Sequence, residues 1–131
     1  MSRLHHLLDQ IPDLDLLEGN WAIFGSGPLA VRGLRDPRDL DVIVTEELWS
    51  QLTKRYNAHL HENGLSRIQV GDIEILSGWH PPLSKSVSQL IEEAELIEGI
   101  PYVRLDQVLE WKRLRASDKD IVDISLIEAH K

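Results

Sequence analysis

The chain has 131 residues, which fits one domain and leaves no room for a second of ordinary size. Its 42% hydrophobic and 27% charged residues are typical of a globular protein rather than a disordered one. The net charge of −8 argues against a large nucleic-acid surface or an anionic membrane as the main partner. Because the chain lacks cysteine, disulfides, thiolate zinc sites and cysteine nucleophiles are excluded.

Hydropathy along the chain does not predict a membrane protein. No apolar run approaches the roughly 18 residues that a membrane span needs. Near the N-terminus, His5, His6 and Asp9 interrupt the apolar core that a signal peptide requires. We therefore expect a cytoplasmic protein of one domain, residues 1–131.

The first elements are short and separated by glycine and proline. Leucines at helical spacing predict an amphipathic helix over residues 2–10. The apolar run Trp21–Phe24 predicts a buried strand. Pro28 then suits the first turn of a helix capped by Ser26 or Gly27. This helix must be short, since breaking residues follow from Gly33 onward.

Strands and helices alternate in the middle of the chain. The β-branched run Leu40–Val44 predicts a second buried strand. A helix over Glu46–Tyr56 follows, with Thr45 as its cap. Leu65–Val70 and Ile73–Leu76 predict a hairpin joined through a Gly-Asp turn.

The next segment combines a loop, a helix and an edge strand. Pro81-Pro82 predicts a loop, and Val87–Ala94 is helical by its spacing. Leu96-Ile97 and Tyr102-Val103 flank a glycine and a proline, and at least one of them is expected to be an edge strand.

The last third predicts two helices. The first covers Leu105–Arg115, where Lys112 and Arg113 are expected to lie along the helix surface with their heads in water. The second begins at a capping box of Ser117 and Asp120, and isoleucines at 121, 124 and 127 line its buried face. The mixture of elements predicts an α+β fold: a two-layer sandwich in which helices cover one side of a small mixed sheet.

Two aspartates at the start of the second strand are the most informative pair. Asp39 and Asp41 are two residues apart, so their carboxylates point to the same side of a strand. Crowding two carboxylates beside buried apolar residues is unfavourable unless something compensates. Mg²⁺ is the simplest compensator, because it prefers carboxylate oxygens together with substrate phosphates.

A phosphate-binding bend and a third carboxylate accompany this pair. Gly25 and Ser26 lie where a strand meets a helix, and backbone N–H groups there can bind an anion that glycine allows to approach closely. Glu74 lies between two isoleucines in another strand and points away from both. If that strand neighbours the one that carries Asp41, three carboxylates converge.

This pattern resembles the nucleotidyltransferase-fold superfamily, which includes DNA polymerase beta-like enzymes and the small nucleotidyltransferases of bacterial toxin–antitoxin systems. The resemblance is carried by Gly25-Ser26, Asp39-Leu40-Asp41 and Glu74, and the spacing of Lys112, Arg115, Lys119, Asp120 and Asp123 is similar to the tail of small bacterial members. Many members have serine where this chain has Arg38.

The resemblance implies metal-dependent transfer of a nucleoside monophosphate from a nucleoside triphosphate, ATP by default, to a hydroxyl of a small molecule or protein. Asp39, Asp41 and Glu74 would be the catalytic residues and the ligands of two Mg²⁺ ions. Gly25 and Ser26 would bind the phosphates, together with Lys112. A homodimer or a partner protein is compatible with such a small chain, and nucleic acid is disfavoured as acceptor.

Two other interpretations stay open. One is a catalytically degenerate member that binds a nucleotide or a protein, as an antitoxin or regulatory partner does. The other is a dinucleotide-binding domain, because residues 25–30 fit the pattern G-x-G-x-x-A and Glu46 lies about twenty residues further on.

Overall fold

The computed structural model describes residues 2–60, 65–78 and 83–130. The predicted loop at Pro81-Pro82 lies outside these ranges. None of the helices within them combines the length and the apolar character that crossing a bilayer requires.

Within the described residues the chain forms a single seven-stranded sheet and six α-helices. The strands are β1 (Trp21–Phe24), β2 (Leu40–Val44), β3 (Ala58–Leu60), β4 (Ser66–Val70), β5 (Ile73–Leu76), β6 (Glu95–Ile97) and β7 (Ile100–Tyr102). The helices are α1 (Arg3–Leu8), α2 (Gly27–Ala30), α3 (Glu46–Leu52), α4 (Val87–Glu92), α5 (Leu105–Arg115) and α6 (Asp118–His130), and Pro12–Leu14 forms a 3-10 turn.

Most of the predicted elements are confirmed, although several helices and strands are shorter than predicted. Helix α3 begins at the Thr45 cap, whose hydroxyl accepts the Leu48 N–H at 3.3 Å, but it ends at Leu52 rather than Tyr56. The hairpin β4–β5 and the helix α5 are confirmed. Strand β3 was not predicted, because its three residues are too few to show a clear pattern and all three side chains are exposed.

The sheet is mixed, with the order β3-β4-β5-β2-β1-β7-β6. Strand β2 lies near its centre, antiparallel to β1 and parallel to β5. Strand β6 forms one edge and pairs antiparallel with β7, so both predicted segments of that region contain strands. The strands that carry the predicted site residues Asp41 and Glu74, β2 and β5, are therefore neighbours near the centre of the sheet.

Apolar side chains cover both faces of the sheet. On β2, Val42 packs with α1 and α3 on one face, and Ile43 packs with α4, α5 and α6 on the other. The α+β class and the mixed sheet are confirmed, but helices lie on two sides where the sequence predicts one. The reason is visible in β2 itself, whose apolar residues continue without alternation, as in strands that are buried on both faces.

The last helix packs two of its three predicted isoleucines into the core. Ile127 is buried and Ile124 is partly buried beside it, but Ile121 is 56% exposed, and Asp120 and Asp123 are buried as well. The predicted capping box is confirmed: the Ser117 N–H donates to Asp120 Oδ2 at 3.0 Å, and the Asp120 N–H donates to Ser117 Oγ at 3.3 Å. Two buried carboxylates require partners, and these lie beside the candidate site.

Candidate active site

The register of two parallel strands brings two of the predicted carboxylates together. Asp41 on β2 pairs directly with Glu74 on β5. Both point to the sheet face that carries Ile43 and Leu76, opposite to the isoleucines on either side of Glu74. The predicted convergence of these strands therefore occurs.

The surroundings of Asp41 and Glu74 disfavour a negative charge on both side chains at once. Burial, followed by the charge of Glu74 and a hydrogen bond to it, raises the pKa of Asp41 to about 7, with a smaller contribution from Asp39. Arg67 on β4 acts in the opposite direction and donates to Glu74 Oε1 at 3.1 Å. Around neutral pH Asp41 is thus partly protonated, and a cation bound beside it would favour its charged form.

The glycine bend lies against the same carboxylate. Gly25 follows Phe24, whose strand partner is Asp41, and has a φ of 67°. A Cβ at this position would overlap the Asp41 carboxylate. Ser26 is buried, and its hydroxyl donates to the Asp39 carbonyl at 3.4 Å, which ties the bend to the start of β2.

Asp39 lies at the rim of this group. Its side chain is 56% exposed and 3.9 Å from Nη2 of Arg3, whose guanidinium also donates to the Arg38 carbonyl at 2.7 Å. It lines the same cavity of about 560 Å³ as Asp41 and Glu74. In the part of the chain that the structure describes, no three acidic or histidine side chains are close enough together to hold a metal ion.

The donor chemistry nevertheless fits a divalent cation. Asp41 and Glu74 supply hard oxygen ligands that repel each other, and among the described residues the Asp39 carboxylate makes a surface contact with Arg3. Gly25 leaves room beside Asp41 that any other residue would fill. The group is therefore a candidate site for Mg²⁺ together with phosphate oxygens.

Lys112 also lines the cavity and is buried, with 2% of its side chain exposed. Its Nζ donates to Asp123 Oδ2 at 2.9 Å and lies 3.7 Å from Asp120 Oδ1. The expectation that Lys112 extends along the helix surface into water is therefore wrong. The two buried carboxylates of α6 hold it in the interior, and it remains a proposed phosphate ligand.

Three arginines complete this charged cluster. Arg115 donates to both carboxylate oxygens of Asp120, at 2.7 and 2.6 Å. Arg35 Nη1 donates to Asp123 Oδ1 at 2.5 Å, and Arg38 Nη1 lies 3.9 Å from Oδ2 of the same residue. The sequence analysis assigned no role to these contacts. The available signal was the spacing: Lys112 and Arg115 on α5 are three residues apart, and so are Asp120 and Asp123 on α6.

Acidic and basic side chains both line the cavity. The acidic ones are Asp39, Asp41, Glu74 and Asp118, and the basic ones are Arg38, Lys112, Arg115 and Lys119. An anionic chain accompanied by cations matches this lining, because basic groups can meet its oxygens and carboxylates can meet its counterions.

The topology contradicts a dinucleotide-binding domain. That motif needs two parallel strands joined through the helix that follows the glycines. Here the strands before and after α2 are antiparallel neighbours. Glu46 begins α3 and does not line the cavity at Gly25.

We predict that Gly25→Ala lowers stability by about 2 kcal/mol or more, since an alanine at positive φ is strained and its Cβ also displaces Asp41. The control is Gly33→Ala, because Gly33 has a φ of 73° and open space around it. Urea unfolding separates the two, and equal losses in both variants would contradict the close approach of Gly25 to Asp41.

Searches with the sequence match no family model and no curated protein. The fold has a solved counterpart, described as a "putative nucleotidyltransferase" from Thermotoga maritima, with a TM-score of 0.61 and 17% sequence identity. The similarity covers 98% of this chain and 96% of that one. The chain therefore has the nucleotidyltransferase fold that its glycine bend and its aspartate pair predict.

Proposed function

We propose that this protein transfers a nucleoside monophosphate from a nucleoside triphosphate to an acceptor hydroxyl with the help of Mg²⁺. The observation that carries this proposal is the pairing of Asp41 with Glu74 beside the Gly25 bend, within one cavity. The fold of the Thermotoga maritima protein supports the same class of reaction.

Each residue has a role that follows from its position. Asp41 and Glu74, together with Asp39, would hold the Mg²⁺ ions. When bound, these ions would neutralise the triphosphate and stabilise charge on the attacking and leaving oxygens. The N–H groups of the Gly25-Ser26 bend would bind phosphate oxygens, and Lys112 would face them across the cavity.

The chain's own contribution is positioning and proton transfer. The acceptor oxygen attacks the α-phosphorus while the bond to the bridging oxygen breaks and pyrophosphate leaves. Glu74 orients the hydroxyl and accepts its proton, and Arg67 holds the Glu74 carboxylate in place through the 3.1 Å contact. Such chemistry depends on alignment and charge neutralisation more than on a covalent nucleophile.

We predict that calorimetry detects ATP binding with Mg²⁺ and at least about tenfold weaker binding without it, because the carboxylates repel an unaccompanied triphosphate. The Asp39→Asn/Asp41→Asn variant should lose this dependence on Mg²⁺. Asp72→Asn is the matched control, since Asp72 is exposed in the β4–β5 turn. ATP is the default donor, and parallel titrations with GTP, CTP and UTP identify the preferred base.

Equal affinity for the triphosphate in every arm would reject the metal site. A degenerate nucleotide-binding protein would show Mg²⁺-dependent binding but no transfer to any acceptor. Turnover that is lost in Glu74→Gln would identify an enzyme. A co-expressed partner protein that gains a nucleotide would identify a protein hydroxyl as acceptor.

A further inference from the structure

A second cavity, of about 350 Å³, meets the first at the two paired carboxylates. It shares with the larger cavity Gly25, Asp41, Glu74, Trp111 and Arg115. It does not include Ser26, Asp39, Lys112 or Lys119, which line the larger cavity alone. Its remaining wall comes from β1, β2, β5 and the region of β4. The paired carboxylates thus have a phosphate-binding cavity and a separate cavity beside them.

We propose that this second cavity binds the acceptor, and that the acceptor is a small uncharged hydroxyl compound with an apolar face. The inference rests on the proposed nucleotidyl transfer. In-line displacement requires the attacking oxygen and the departing pyrophosphate to lie on opposite sides of the α-phosphorus. Two cavities that meet at Asp41 and Glu74 provide two such approaches.

The wall of the second cavity favours an organic ring over a chain of phosphates. Four apolar side chains line it beside the polar ones: Phe24, Ile43, Leu65 and Leu76. Trp111 adds an aromatic face, packed at 5.0 Å between ring centroids against Phe24 and at 3.9 Å against the guanidinium of Arg115. The volume is that of a small-molecule site.

Charge in the second cavity disfavours an anionic acceptor. Its two guanidinium groups are already engaged, since Arg67 donates to Glu74 and Arg115 to Asp120. Apart from the Mg²⁺ that Asp41 and Glu74 would hold, an anion would meet no guanidinium outside an ion pair among the described residues that line this cavity. This balance argues against the end of an RNA chain and in favour of an uncharged molecule.

Two hydrogen-bond donors on this wall have no partner among the described residues. These are Trp111 Nε1 and Arg67 Nε, both buried. Trp111 is only 7% exposed, and neighbours on its ring hold it in place. Buried donors are normally satisfied, and in this proposal an oxygen of the acceptor is the partner assigned to the Trp111 N–H. The acceptor would thus present a hydroxyl, ether or carbonyl oxygen to Trp111 while its reacting hydroxyl faces Glu74.

The transfer step requires only the acceptor, the triphosphate and a group that accepts the hydroxyl proton. The hydroxyl oxygen of the acceptor forms a bond to the α-phosphorus, and the bond from that phosphorus to the bridging oxygen breaks. The hydroxyl proton moves to Glu74, and pyrophosphate leaves with the electron pair through the larger cavity.

The indole N–H signal of Trp111 in a ¹⁵N-labelled sample tests this proposal. The Trp111→Phe variant identifies that signal by its loss. The holoprotein, with Mg²⁺ and a non-hydrolysable ATP analogue, is titrated with benzyl alcohol and with benzoate, which have the same ring and differ in charge. We expect a saturable shift with benzyl alcohol and at least about tenfold weaker binding of benzoate.

A cavity-filling variant provides the structural control. Leu65→Phe should weaken benzyl alcohol binding by about tenfold and leave ATP binding unchanged, because Leu65 lines only the second cavity. Leu114→Phe, at an apolar residue that is 54% exposed outside both cavities, should change neither.

Three outcomes would overturn the acceptor assignment: no shift with benzyl alcohol up to about 50 mM, tighter binding of benzoate, or unchanged binding in Leu65→Phe. Transfer to an RNA end that Leu65→Phe leaves unaffected would also overturn it. Absence of ATP binding in the wild-type protein would instead reject the proposed function, so the two failures are distinguishable.

Discussion

Replacing Asp41 by asparagine is expected to lower the rate of nucleotidyl transfer by about a thousandfold or more. The amide keeps the shape of the side chain but removes the negative charge that a divalent cation requires. Single-turnover transfer of labelled nucleotide measures the loss. Asp72→Asn is again the matched control and should retain full activity, because its carboxylate is exposed in a turn. A variant at Asp41 with more than a tenth of wild-type turnover would contradict the assigned role.

The same substitution should not damage the metal-free fold. Burial raises the pKa of Asp41 to about 7, so the folded protein retains this proton to a higher pH than the unfolded chain does. Ionisation of Asp41 therefore costs stability as the pH rises from about 4 to about 7. Above pH 7, without metal, the asparagine variant should be more stable than the wild type, on the order of 1 to 2 kcal/mol. Loss of activity with gain of stability is typical of a functional carboxylate.

Replacing Lys112 by methionine is expected to destabilise the protein by about 3 to 5 kcal/mol. The change leaves the Asp120 and Asp123 carboxylates buried with one fewer cation. Urea unfolding measures the loss, and Lys54→Met serves as the control at an exposed lysine. The double variant Lys112→Met/Asp123→Asn should recover part of the stability, since it removes both partners.

Acid sensitivity gives an independent check on this buried cluster. Burial alone would raise the pKa of Asp123, but hydrogen bonds from Lys112 and Arg35 outweigh it and hold the pKa below its usual range. The contacts with Arg115 and Ser117 do the same for Asp120. Their contribution is therefore present above about pH 4 and is lost as the pH falls further. A wild-type protein whose stability is unchanged between pH 5 and about pH 2 would contradict the cluster.

The buried cluster of Lys112, Asp120 and Asp123 also stabilises the part of the cavity that α5 and α6 form. Residues of α5 and α6 line the same cavity as the carboxylates of β2 and β5. The buried contacts of Asp120 and Asp123 fix the two helices to each other and to Arg35, which follows α2. The basic side chains that α5 contributes are thereby held in place, which lowers the conformational cost of binding an anion.

The local sequence pattern was sufficient to predict the strands and the turn that position Asp41 and Glu74. The apolar runs at Trp21–Phe24 and Leu40–Val44 and the Gly-Asp turn after β4 predict the strands, because burial and turn geometry restrict the residue types at those positions. The side-chain alternation of a strand also predicts that Glu74 points away from its isoleucine neighbours, as the structure confirms. The short strand β3, whose side chains are exposed, carries no such pattern.

By itself the sequence determined the strands and the glycine bend, since each depends on neighbours within a few residues. Only the tertiary structure decided that Lys112 is buried, that Arg67 pairs with Glu74, and that Asp39 contacts Arg3. The physical reason is that a charged side chain is predicted to be solvent-exposed when the sequence does not show which distant residue it pairs with. Here the partners of Lys112 lie across the helix pair α5–α6, that of Arg67 on a neighbouring strand, and that of Asp39 near the start of the chain, and packing alone brings them together.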